Sequence, residues 1–244
     1  DFCTDNCINL IEDFSQCLNG TFNNKKVGTF GVASVYSASS IKTLDTLGGG
    51  FLVTDDTSLY KKLVKERDNL KNPNRWLLIK RSCVNIIRNI ATMPFIFNLL
   101  TIYVIRVMTL RNRENALRQT GTRDKTRIEN LPADWFVLYS SVQAKIGLEN
   151  IGNILNNDDR RISFAKTHIK QIGISHFAKG VEGAHNVFWQ LPIKTNNAEK
   201  FHNSLRSNGV DSALSSLQLI SSLTDYPGAT ELPNASVIFN HRLF

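Results

Sequence analysis

The first apolar run of the chain, Cys7-Ile-Asn-Leu-Ile-Glu-Asp13, is rich in β-branched residues and ends in two carboxylates. It reads as a buried parallel strand with its polar groups at the carboxyl end, the end at which open α/β sheets bind ligands. Gly28 to Ser37 reads as a second strand, followed after a short polar loop by Lys42. Gly48-Gly49-Gly50 leads into a third, Phe51-Leu-Val-Thr54. Asp55 or Asp56 can cap a helix that places Leu59, Leu63 and Val64 on one face and Lys and Arg on the other. The pattern spells a β-loop-β-α block with a polar cluster along one edge.

From about residue 70 to 130 that rhythm breaks. Asn89 to Ile105 is free of charge, is flanked by Arg81, Arg88, Arg106, Arg111 and Arg113, and falls short of the roughly 20 apolar residues a membrane span requires. Pro94 and Asn98 weaken a spanning reading further. The segment reads as a buried helix or hairpin over the core, as an interfacial helix with basic anchors, or as a span. Beyond it, Val142, Ile146, Leu148, Ile151 and Leu155 recur at helical spacing, and a second helix is expected through Arg160 to Ile172. Phe188 to Ile193 reads as a strand and Asn197 to Ser207 as a helix closed by Asn208-Gly209. The last third is thus a long helix followed by a small α+β unit.

Charge sharpens this division. The 244 residues carry 29 basic and 21 acidic side chains, yet Lys61 to Arg127 alone holds 16 basic and 4 acidic ones. The basicity is regional, and it lacks the interleaved aromatics of a nucleic-acid module, so no nucleic-acid partner is expected. Cys3, Cys7, Cys17 and Cys83 lack the paired spacing of a zinc site and read as reduced thiols; no metal is expected. The five histidines (His168, His176, His185, His202 and His241) show no acid-base spacing. No leader pattern opens the chain, so Asn19 and Asn234 read as chance glycosylation sequons, and a cytoplasmic location is expected, with membrane association through residues 85–110 as a further possibility. A chain that starts at Asp1 and reaches a strand within a few residues reads as a piece of a longer protein.

Four short motifs in order carry a resemblance. Glu12-Asp13-Phe14-Ser15-Gln16, Val27-Gly-Thr-Phe-Gly31, Ser37-Ala-Ser-Ser-Ile-Lys42 and Gly49-Gly-Phe-Leu-Val-Thr-Asp55 resemble the Asp-x-x-Gln, glycine-turn, lysine and Gly-Gly-strand segments of the DegT-type (DegT/DnrJ/StrS) sugar aminotransferases. Val142-Gln-Ala-Lys-Ile-Gly-Leu148 and Trp189-Gln-Leu-Pro192 resemble later segments of the same family. The resemblance implies an α/β protein of the pyridoxal-phosphate-dependent transferase fold type I (aspartate aminotransferase-like). It divides the chain into part of the large cofactor domain over 1–69, a basic and apolar insertion over 70–130, and a long helix with a small α+β domain over 131–244.

By the same resemblance, Lys42 is the catalytic lysine that holds the aldehyde of pyridoxal 5'-phosphate and shuttles a proton. Asp13 faces the ring nitrogen, Gln16 contacts the ring, and Ser37 contacts the phosphate. The implied reaction moves an amino group from an amino acid, glutamate being the expected donor, to a nucleotide-linked keto sugar in a homodimer, within polysaccharide or aminosugar biosynthesis. In this family dehydration accompanies loss of the lysine, and Lys42 is present. Two departures support the alternative of a catalytically incomplete, membrane-apposed scaffold or partner protein. The family's amino-terminal portion has no counterpart before Asp1, and Phe136-Val-Leu-Tyr139 stands where the family carries Asn-Tyr-Arg-Met.

Overall fold

The computed structural model describes residues 2–39, 41–110, 135–173, 182–208, 210, 212–214 and 242–243. The chain separates into two compact units. One comprises Asp1–Arg88, Glu129–Thr167 and Gly180–Trp189, the other Asn89–Ile128, His168–Lys179 and Gln190–Phe244.

In the first unit, a short helix α1 (Phe2–Asp5) precedes β1 (Ile11–Asp13). The strand is shorter than the apolar run because Cys7 adopts a left-handed φ of 54°, which breaks the extended chain before pairing starts. β1 runs parallel to β4 (Ala33–Ser37), with Asp13 opposite Val35. β4 is antiparallel to β5 (Gly50–Val53), giving the sheet order β1-β4-β5. β1 is not the buried strand its composition suggests, since Ile11 is 63% exposed; among the described strands it lies at a sheet edge. Between them, β2 (Thr21–Phe22) and β3 (Lys25–Lys26) form a small antiparallel sheet joined by β6 (Ala184–His185).

The residues Gly28–Val32, expected within the second strand, instead form a turn built on Glu12. Its carboxylate accepts the backbone N–H groups of Gly28 (2.8 Å), Phe30 (2.5 Å) and Gly31 (2.8 Å). Glycine is required at residue 31, where an added Cβ would stand 2.3 Å from the Leu10 carbonyl oxygen. The core of the unit is Tyr36, Ala38, Leu44 and Ile154, with Phe14 and Leu18 packed against it.

α2 (Thr57–Asp68) starts as expected at Asp56, whose side chain accepts from Ser58 and Leu59 N–H. α6 (Ser141–Ile151) begins with a capping box between Ser140 and Gln143. A helix forms within the stretch that the apolar spacing marks, but it stops at Ile151, Leu155 falls on the next helix, and the packing face is different. Leu148 and Leu155 are 75% and 65% exposed, whereas Gln143 is buried. The reason is polar docking: Gln143 Nε2 donates to the Gly48 carbonyl at 2.9 Å, and Gly147 lies against Thr46. α7 runs from Ile154 to Ile172.

α3 (Arg75–Ala91) ends two residues before α4 (Pro94–Ile96), which continues through one π turn (Phe97–Thr101) into α5 (Ile102–Leu110). The charge-free segment is therefore helical but not buried as a cover: Phe95, Leu99 and Leu100 are all exposed. Among the described residues, no single helix is long and apolar enough to cross a membrane. The second unit also holds β7 (Ile193–Lys194), α8 (Ala198–Ser207, capped by Asn197) and β8 (Arg242–Leu243), with β7 and β8 antiparallel. The strand expected from Phe188 shrinks to β7, because Phe188 has φ 46° and Pro192 has no N–H to donate. Gly209 and most of the inserted segment beyond residue 110 lie outside the described residues.

Replacing Glu12 by Ala removes the acceptor of three backbone N–H groups. The expected cost is about 2 kcal/mol of unfolding free energy, read from the urea midpoint, while Glu66→Ala on the exposed surface of α2 leaves the midpoint unchanged.

Candidate active site

Asp13 and Ser37 occupy the last positions of the paired strands β1 and β4, and the chain turns sharply after each. Ser15 N–H folds back onto Asp13 Oδ1 at 2.9 Å, the local turn that Asp favours. Ser15 Oγ in turn accepts the backbone N–H of Ser37 at 2.8 Å, and Ser37 Oγ lies 3.3 Å from Ser39 Oγ. A buried serine thus links the two strand ends. Gln16 lies exposed in the same turn, and no helix begins there.

Lys42 stands in the loop that follows β4. Its N–H bonds to the Ser39 carbonyl at 3.0 Å, and the Ala38 carbonyl accepts from both Thr46 (3.0 Å) and Gly48 (3.1 Å). Buried Tyr36 closes the loop from inside, its hydroxyl accepting the Leu44 N–H at 2.8 Å. Lys42 Nζ lies over the Trp189 ring, 4.5 Å from its centroid, while Trp189 Nε1 donates to the Ile41 carbonyl at 2.8 Å. The indole is therefore fixed to the lysine's own loop. Beside it an open depression is lined by Ile41, Lys42, Thr43, Asn157, Arg160, Arg161 and Trp189.

The electrostatics of Asp13 and Lys42 are coupled. Hydrogen bonds from the Ser15 hydroxyl and N–H hold the Asp13 carboxyl below its ordinary range, opposed by partial burial and aided by the Lys42 charge. Burial pushes the Lys42 ammonium down, and the Asp13 charge pushes it partly back. A carboxylate that stays ionised and an amine eased toward its neutral, nucleophilic form are brought together.

The residues of the loop floor come from α7. Asp158, 3% exposed, pairs with Arg161 and accepts from Asn19 Nδ2 at 2.9 Å. Arg161 Nη1 donates to Thr43 Oγ1 at 3.2 Å, tying helix to loop. Ser15, Trp189 and the Asp158–Arg161 pair are the site residues that motif reading missed. Ser15 sat inside the Asp-x-x-Gln motif, and the i,i+3 spacing of Asp158 and Arg161 was the visible signal for that pair.

The histidines stay dispersed. His202 Nδ1 and Ser212 Oγ are 2.9 Å apart in a buried contact, and His176 and His241 lie outside the described residues, as does the sequon at Asn234. No cluster of three or more metal-binding side chains occurs among the described residues, and all four cysteines are free.

Comparison with known proteins places this geometry. Residues 1–73 match the DegT/DnrJ/EryC1/StrS aminotransferase family. The chain is 39% identical over 61 residues to the UDP-4-amino-4,6-dideoxy-N-acetyl-beta-L-altrosamine transaminase of Helicobacter pylori, covering 25% of this chain and 16% of that protein. It is 40% identical over 55 residues to the GDP-4-keto-6-deoxy-D-mannose 3-dehydratase of Escherichia coli O55:H7, covering 22% and 14%. The fold is that of sugar aminotransferases over nearly the whole chain. Micromonospora echinospora CalS13 superimposes with a TM-score of 0.63 at 21% identity, covering 97% of this chain and 52% of that one. The dehydratase from E. coli, in a structure with bound hydrated PLP, gives 0.63 at 18% identity, covering 99% and 57%. The chain spans about half the length of these structures.

Two titrations check the coupling. Asp13→Asn removes the charge that supports the Lys42 ammonium, so the pH midpoint for reductive methylation of Lys42, followed by mass spectrometry, moves down. Asp13 has a lowered carboxyl pKa, so its stabilising contribution is full above the ordinary carboxylate range of about 4 and is lost as the pH falls below it. Ser15→Ala raises that carboxyl toward its ordinary value, and the acid limb of stability against pH, measured with urea, becomes shallower.

Proposed function

We propose that this chain, whose residues 1–73 match the DegT/DnrJ/EryC1/StrS aminotransferase family, is the lysine-bearing part of a pyridoxal-phosphate aminotransferase acting on a nucleotide-linked keto sugar. The observation that carries the reading is the placement of Asp13 at the end of β1 and of Lys42 in the loop after the adjoining strand β4, where Ser15 holds the Asp13 carboxyl below its ordinary range and burial pushes the Lys42 ammonium down. The donor set fits the cofactor. An amine with a lowered pKa suits an aldehyde, an ionised carboxylate suits a protonated ring nitrogen, and the Ser37 and Ser39 hydroxyls suit a phosphate.

When bound, pyridoxal phosphate supplies an electron sink for the carbon from which a proton is removed. Lys42 Nζ would hold the aldehyde carbon of the cofactor and would take and return the proton at the reacting carbon. Asp13, its carboxyl held below its ordinary range by Ser15, would face the ring nitrogen, and Gln16 would contact the ring. Ser15 positions Asp13 against the end of β4, so the two strand ends keep their spacing. Trp189 covers Lys42 on one side.

The substrate class is supported by the names of the relatives, a UDP-sugar transaminase and a GDP-sugar dehydratase, and by Arg160 and Arg161 in the depression beside Lys42, which suit a diphosphate. An amino-acid donor, glutamate above all, completes the reaction. Transamination is favoured over dehydration by Lys42 itself. The reading further takes the enzyme as a cytoplasmic homodimer in aminosugar or polysaccharide biosynthesis, with peripheral membrane contact through residues 85–110. The alternative of a catalytically incomplete scaffold rests on the exposed helices of that same segment.

Mixing the protein with pyridoxal phosphate is expected to give a visible Schiff-base absorption band that Lys42→Ala abolishes and Ser207→Ala leaves intact. A band that survives Lys42→Ala rejects the assignment, and the absence of any band favours the scaffold.

A further inference from the structure

Between Asp68 and Glu114 the chain carries Lys71, Arg75, Lys80, Arg81, Arg88, Arg106, Arg111 and Arg113 and no acidic residue. The two helical segments in this stretch are apolar on faces that the fold leaves exposed. On α3 the exposed apolar residues are Trp76, Ile79, Ile86, Ile87 and Ile90. They follow the three- and four-residue spacing of a single helix face, and Trp76 is 78% exposed. On α4–α5 the exposed set is Phe95, Leu99, Leu100, Tyr103, Val104 and Val107, while Ile102 on the same helix is buried. The α5 segment therefore already has an inward side, α3 has no buried residue, and both carry an outward apolar face. Soluble monomers rarely leave patches of this kind open without a partner.

We propose that each of these faces contacts an anionic lipid surface, its helix lying in the headgroup region, with the exposed Lys71, Arg75 and Lys80 side chains reaching the lipid phosphates and carboxylates, while Arg81, Arg88 and Arg106 are engaged by Leu47, Asp45 and Ser207. Charge complementarity selects this occupant. A second copy of the chain would bring a face of the same positive sign, with no Asp or Glu in the stretch to answer it, whereas anionic headgroups supply the missing charge. The aromatic composition agrees, since Trp76 and Tyr103 have the apolar body and polar edge that favour a membrane interface. Long basic side chains can keep their heads in the headgroup layer while their stems lie along the apolar faces. Neither helix alone is long and apolar enough to span, although the two together, as a bent pair, are by length and composition. The inference deepens the membrane contact contained in the proposed function by naming the lipid class and adding the α3 face. It does not depend on the cofactor chemistry.

The test is sedimentation of the purified chain with vesicles, either of phosphatidylcholine alone or of equal parts phosphatidylcholine and phosphatidylserine. Pelleting is expected with the anionic vesicles, at least about tenfold weaker on the neutral ones, and reduced by added salt. Arg75→Glu with Lys80→Glu should lose about tenfold in vesicle affinity, and Phe95→Ser with Leu99→Ser should abolish pelleting. All four positions are exposed, and circular dichroism checks the fold. Should the Phe95/Leu99 variant unfold, Trp76→Ser with Ile87→Ser carries the same expectation on α3. Lys42→Ala must pellet like the unsubstituted chain, so that failure of the lipid inference and failure of the enzyme reading are separable. Absence of pelleting, equal binding to neutral vesicles, or a soluble self-association that the apolar variants abolish would overturn the proposal.

Discussion

Two adjacent carboxylates at the end of one short strand hold this structure together, and they do opposite work. Successive side chains of a strand point to opposite faces, so Glu12 and Asp13 cannot serve the same neighbours. Glu12 is committed to backbone, gathering the N–H groups of Gly28, Phe30 and Gly31 into a turn. That turn fixes where β4 begins and hence its parallel register with β1. Asp13 is left with Ser15 and the field of Lys42. Without the first carboxylate the strand ends would lose their spacing, and without the second there would be no anion at the site.

The lysine loop is held in the same economical way. Tyr36 from inside, the Ala38 carbonyl from its base and Arg161 from α7 fix residues 38–48 by hydrogen bonds to backbone and to Thr43. The buried Asp158 keeps Arg161 in place. A buried ion pair of this sort adds little net stability but makes the loss of either partner costly, which suits a role in positioning. The polar docking of α6 through Gln143 belongs to the same scheme, since it holds Gly48 at the far end of the loop.

Much of this was legible in the sequence because it rests on local signals. The Asp56 cap, the Asn197 cap and the glycines before β5 mark element ends by short-range chemistry, and four ordered motifs named Lys42, Asp13, Gln16 and Ser37 as candidates, of which Asp13 and Ser37 lie at the ends of the paired strands β1 and β4. What escaped was set by long-range contacts. The apolar spacing of Val142 to Leu155 predicted one helix where the chain breaks it after Ile151, and the wrong inward face, because Gln143 docks on a loop 95 positions away in the chain. The Cys7 and Phe188 backbone conformations, at φ 54° and 46°, cut two expected strands short, and no residue preference announces a left-handed Cys or Phe. The exposure of the charge-free helices inverted the simplest reading of an apolar segment.

The most direct measurement is borohydride reduction of the protein with pyridoxal phosphate, followed by peptide mapping of the modified lysine. The account predicts a single labelled peptide containing Lys42, because this lysine combines partial burial with the charge of Asp13. Label spread over the exposed lysines, with Lys42 no richer than the others, would contradict it.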